Sequence, residues 1–153
     1  MWRRIQTKDR LARIGIQIDQ LCSLCHKENE SLDHLFFGCD YTSKCCNILK
    51  HRLNFTADLS NINKLSQWLV NCIRGRFKKS VVQACFSTLL YMLWKQRNDA
   101  IWKSYILKHE ILVDNVLSLV RIRILGVMPR KTSQSDRDWF SKLMSLLLVF
   151  VVV

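Results

Sequence analysis

Cys22, Cys25, His34 and Cys39 fall within eighteen residues in the pattern C-x2-C-x8-H-x4-C. A C-x2-C pair turns two sulfurs toward one point. A third thiolate and an imidazole complete the donor set of a tetrahedral zinc site. Four protein ligands leave no open coordination position, so the expected Zn2+ is structural rather than catalytic. The intervening residues suit this task. Ser31 can cap a short helix over Leu32–Phe37 that puts His34 on one face. Gly38 lets the backbone turn back toward the metal at Cys39, and Leu35, Phe36 and Phe37 supply an apolar shell. Rival ligands remain: His26 beside Cys25, and Cys45 or Cys46 in place of Cys39. Cys72 and Cys85 lie on apolar faces and read as core residues. His51 and His109 have no partner at ligand spacing and read as surface groups.

The second chemistry is electrostatic. The chain has 24 Lys and Arg against 12 Asp and Glu, a formal charge of +12. Such a chain attracts polyanions, nucleic acid or an anionic membrane surface first among them. Two clusters stand out: Arg3, Arg4, Lys8, Arg10 and Arg13, then Arg74, Arg76, Lys78 and Lys79. They are the candidate phosphate contacts, with Trp2 and Phe77 placed to stack on bases. The segment between the cysteines is acidic (Glu28, Glu30, Asp33 and Asp40 against Lys27). It is therefore expected to clamp the basic helix before it rather than to bind phosphate. RNA or DNA, held electrostatically and without base readout, is the expected partner.

Other classes are excluded. No phosphate loop, nucleophile elbow or Asp-Asp pair can be read, so neither an enzyme nor a small-molecule substrate is expected. The apolar run Leu146–Val153 is shorter than the ~20 residues of a membrane helix, and no membrane partner is expected. Met1-Trp2-Arg3-Arg4 does not open a secretory signal. The chain is expected inside the cell, nuclear or cytoplasmic, where its seven cysteines stay reduced.

The elements that must position these groups are helices. Four Gly and one Pro in 153 residues leave few breaks. Thr7 can cap a short basic helix that ends at Gly15. Residues 41–60 are polar and mixed. A helix over residues 61–73 carries Ile62, Leu65, Trp68, Leu69 and Cys72 on one face. A basic break follows, and Ser80 can cap a long helix through Val82, Phe86, Leu89 and Leu93. Another helix runs from about His109 to Leu125, and a last one starts near Asp136 with Trp139, Phe140, Leu143 and Met144. The fold class is mainly α: a small zinc-stabilised module over residues 1–55, a helical region over 56–128, and a linker, short helix and apolar tail over 129–153.

Two stretches carry a resemblance. Thr7–Ile16 (TKDRLARIGI), Cys22-x2-Cys25 and Glu30–Cys39 (ESLDHLFFGC) resemble the zinc-binding domain that follows the reverse transcriptase of plant non-LTR (long interspersed) retrotransposons. Leu93–Trp102 (LWKQRNDAIW) is similar to a Trp…Arg-Asn…aromatic segment often found after that domain. The resemblance implies zinc on Cys22, Cys25, His34 and Cys39, and a C-terminal piece of an element's polyprotein. A reverse transcriptase polypeptide is then a further partner. Two other readings stay open. One is a protein-interaction module docking through Trp68, Leu89, Leu93, Trp94, Trp102 and Tyr105; the other is a degenerate fragment without selected function.

Overall fold

The computed structural model describes residues 5–56, 61–71, 73 and 75–145. Trp2, Arg3, Arg4, Cys72, Arg74 and the tail 146–153 lie outside the described residues. Among the described residues the fold is helical, with no strand beyond an isolated bridge between Leu21 and Asn29. Six α-helices occur in chain order: α1 Lys8–Arg13, α2 Asp40–Leu53, α3 Ile62–Asn71, α4 Arg76–Lys103, α5 His109–Val127 and α6 Gln134–Ser145. One wide π-type turn, His34–Gly38, precedes α2. No described helix is long and apolar enough to cross a membrane.

The core forms where α5 packs between α4 and α2. α4 contributes Val82, Phe86, Leu89 and Leu93 to it and α5 contributes Leu112, Val116, Leu117 and Val120, all buried. These recur at three- and four-residue steps, the spacing that puts them on one helix face. Residues 41–60, which read as polar and mixed, hold all but the first residue of the 14-residue helix α2. Its buried stripe is Tyr41, Thr42, Cys45, Leu49 and Leu53, a helical spacing obscured by a threonine and a cysteine at core positions. Helix α4 also starts earlier than expected. Gly75, at φ +91°, precedes its first turn, and Ser80 lies inside the helix with its hydroxyl donating to the Arg76 carbonyl. Most of the expected basic break is therefore helical: Arg76, Phe77, Lys78 and Lys79 lie in α4. Other boundaries follow the sequence closely: Gly15 ends α1 at φ +85°, and α6 buries Phe140, Leu143 and Met144.

Candidate metal centre

The C-x2-C turn is built by backbone hydrogen bonds. The His26 N–H donates to the Cys22 carbonyl at 2.9 Å, and the Cys22 N–H to the Glu28 carbonyl at 2.8 Å. His26 takes a left-handed conformation, φ 53°, which reverses the chain after Cys25. Its side chain is exposed and stands apart from the cluster. On the other side, the His34 N–H donates to Ser31 Oγ at 3.1 Å, the cap expected for this segment. The wide turn then closes with the Cys39 N–H on the His34 carbonyl at 2.7 Å. Gly38 does not need a left-handed backbone here; a Cβ on it would sit 3.5 Å from His34 Nδ1, ordinary contact. Cys39 is the N-cap residue of α2, where the helix dipole favours a thiolate.

The result is one cluster. The ligand atoms of Cys22, Cys25, His34 and Cys39 all lie within 4.8 Å of one another. Cys22 Sγ and Cys39 Sγ are 3.9 Å apart, and Cys25 Sγ is 3.3 Å from His34 Nε2. A tetrahedron with metal–sulfur bonds of about 2.3 Å has sulfur–sulfur edges of about 3.8 Å. The spacing and the donor set both fit zinc. Nδ1 of His34 is 3.3 Å from Glu28 Oε2. A neutral imidazole with its proton on Nδ1 donates to that carboxylate and leaves Nε2 aimed at the sulfurs. Sequence reasoning counted Glu28 only as a charge; its place two residues before the buried Glu30 gave no sign that it would orient the histidine.

Electrostatics favour a cation at this point. The Cys22 thiol is pulled down to about 5 by its hydrogen bond with Cys39. The same contact, with burial, pushes the Cys39 thiol up. A metal ion bound here would displace the thiol protons. The rival cysteines belong to the packing instead. Cys45 is buried in α2 and Cys85 in α4, and burial raises both thiols to about 12. Burial likewise raises the half-buried Cys46 to about 11. Alkylation should reflect this division. In zinc-loaded protein at pH 8, iodoacetamide is expected to modify the six described cysteines slowly. After chelation, Cys22, Cys25 and Cys39 should react at least tenfold faster while Cys85 stays slow, read peptide by peptide by mass spectrometry.

All four ligand residues fall inside a segment with a known likeness. Residues 1–45 match the family described as zinc-binding in reverse transcriptase. No curated protein and no solved structure matches the chain. The match ends within α2, and the helices beyond it pack onto the zinc-binding segment rather than trailing from it. Tyr41 Oη donates to the Leu107 carbonyl at 2.8 Å, and its ring stacks at 4.6 Å on His109. His109 is thus half-buried rather than a surface group, and burial, aided by Lys44, holds its pKa below the ordinary value.

The expected phosphate contacts are dispersed. Lys8 is buried: its Nζ donates to the Leu21 carbonyl at 2.6 Å and approaches Asp19 at 3.4 Å. It ties α1 to the chain before Cys22 and is not available to phosphate. Arg10 donates to the Ile5 carbonyl at 3.0 Å, and the exposed Arg13 pairs with Asp9 one turn away. Arg76 is exposed; Lys78 lies 5.5 Å over the Trp139 ring, and Lys79 donates to the Val70 carbonyl at 3.1 Å. Phe77 is half-buried and meets Phe140 edge-on at 6.0 Å, so it is not a base-stacking surface. Among the residues read as a docking face, Leu89 and Leu93 are core, and Trp68 packs between Phe55 and Phe86.

Proposed function

We propose that the chain is a zinc-stabilised, non-catalytic nucleic-acid-binding module derived from a retrotransposon reverse transcriptase polyprotein. What carries this reading is the closed Cys3His cluster inside residues that match the zinc-binding family of reverse transcriptases. Cys22, Cys25, His34 and Cys39 would hold the ion, which supplies folding energy and a fixed charge but no open position for chemistry. The excess of twelve positive charges supports a polyanionic partner. The likeness of TKDRLARIGI and ESLDHLFFGC to plant non-LTR elements gives the origin proposed here. The test is fluorescence anisotropy of labelled single-stranded RNA and DNA across 50–300 mM salt (roughly the range over which counterion release is resolved). Binding should fall linearly on a log–log plot, with little dependence on sequence. A flat salt response for both would overturn it.

A second reading rests on one observation. Trp102 is 82% exposed at the end of α4, with Tyr105 exposed just beyond it. A large aromatic held in water at a helix end suits a protein partner, such as the polymerase from which such a module would derive. That reading expects capture by a reverse transcriptase fragment, lost on Trp102→Ala and insensitive to salt.

A further inference from the structure

The positive charge is not spread over the molecule. Residues 5–56, which hold the metal cluster, carry seven Lys or Arg and six Asp or Glu. Zinc with three thiolates would cancel the remaining excess. Four of those seven cations are held in ion pairs. Lys8 approaches Asp19, Arg13 pairs with Asp9, Lys27 meets Asp40 at 2.5 Å, and Arg52 meets Asp114 at 3.3 Å. Residues 76–80 and 121–142, by contrast, hold nine Lys or Arg and two Asp, +7 of the chain's +12.

These two stretches are distant in sequence but meet in space. Phe77 packs on Phe140, Lys78 covers Trp139, and α6 packs on α5. Arg137 holds the linker against α6 by donating to the Thr132 and Arg130 carbonyls, each at 3.2 Å. The start of α4, the end of α5, the linker and α6 thus form one end of the helical bundle. Arg76, Arg123, Arg130, Lys131 and Lys142 are exposed there, and none forms an ion pair among the described residues. Along α4, Arg76 is 21 residues from Arg97, which lies against the zinc segment, a distance of about 30 Å at 1.5 Å per residue.

We propose that this bundle end, and not the zinc segment, is the surface that grips the phosphate backbone of a nucleic acid. The inference rests on the nucleic-acid reading above and relocates its contacts. Exposed cations without carboxylate partners release counterions fully when they meet phosphate, whereas paired ones must first surrender their partner. Lys78 lies over one face of the Trp139 ring, so the contacts assigned here are those of the exposed cations with phosphates. The zinc segment then acts as a scaffold that anchors the opposite end of α4.

The experiment compares three full-length proteins by anisotropy on labelled single-stranded RNA and DNA: the parent, an Arg130→Ala, Lys131→Ala, Lys142→Ala variant, and an Arg13→Ala, Lys27→Ala variant. All the replaced side chains are exposed, and zinc content with thermal melting checks that each variant is folded. The log–log salt slope is expected to shrink by about 2 in the first variant, at about 0.7 per lost single-strand contact, with affinity at low salt down at least tenfold. It should stay unchanged in the second. Loss in the second variant with retention in the first overturns the placement while leaving nucleic-acid binding intact. No binding by the parent overturns both. Vesicles with 30% phosphatidylserine form a parallel arm, because the exposed Ile122, Leu125 and Val127 lie near the same end. Parent protein that binds vesicles but not oligonucleotides also overturns the proposal.

Discussion

Protein purified without added metal should contain close to one zinc per chain, and a Cys25→Ser, His34→Ala variant none. The expected structural consequence is large. Cys22 and Cys39 are fully buried and His34 nearly so, so removing the metal leaves polar groups facing one another in an apolar shell of Leu24, Leu35 and Phe36. Apart from the Glu30–Arg97 pair, little else orders this region. α1 has six residues and the His34–Gly38 turn five, each far below the length at which a helix is stable alone. Structural zinc in comparable small sites contributes on the order of 10 kcal/mol to folding. Chelation should therefore unfold residues 5–39 cooperatively, while the α4–α5 pair, held by its own apolar seam, keeps slow amide exchange. Element analysis and hydrogen exchange with mass spectrometry measure the two halves of this outcome separately. A parent chain that is folded but zinc-free would mean that the cluster merely packs.

The Cys/His cluster was legible because its chemistry is local. Four ligands within eighteen residues fix spacing, donor type and coordination number before any tertiary contact is known. The apolar stripes of α4 and α5 were legible for a similar reason, since Leu89, Leu93, Leu112 and Val116 recur at the helical period. What stayed hidden depends on partners distant in sequence. α2 buries Thr42 and Cys45, whose polarity obscures the period until Leu49 and Leu53 are seen against α5. Lys8 reads as a surface cation because nothing near it in sequence shows that Asp19 and the Leu21 carbonyl will enclose its ammonium. The basic linker residues Arg130 and Lys131 had no cluster of their own, and only the packing of α6 on α5 and on Phe77 of α4 brings them to the same end of the bundle as Arg76.

One long-range pair decides how the two halves behave as a unit. Replacing Arg97 by Met should destabilise the protein by about 3–5 kcal/mol, the usual consequence of stranding a buried charge. The Glu30 side chain is fully buried, and Arg97 Nη2 lies 2.6 Å from its Oε1, with Nε 3.1 Å from both oxygens. The same carboxylate accepts the Lys8 N–H at 3.0 Å, and the Glu30 carbonyl accepts the Asp9 N–H at 3.2 Å. Glu30 therefore fastens the start of α1, the loop between the second and third metal ligands, and the C-terminal part of α4. Arg97 Nη1 also donates to Asn98 Oδ1 at 3.0 Å, so all three guanidinium nitrogens have a partner. Removing the arginine alone leaves a carboxylate with only one backbone donor in an apolar setting, whereas Glu30→Gln in the Arg97→Met background relieves that charge. The double variant should thus be more stable than Arg97→Met, by at least about 1 kcal/mol, a coupling that urea denaturation of the four proteins can resolve. The Arg97→Met chain should also bind zinc more weakly, because the loop that sets the spacing between Cys25 and His34 loses its anchor. Strictly additive effects of the two substitutions, with zinc affinity unchanged, would mean that the zinc segment and the helices fold independently of this pair.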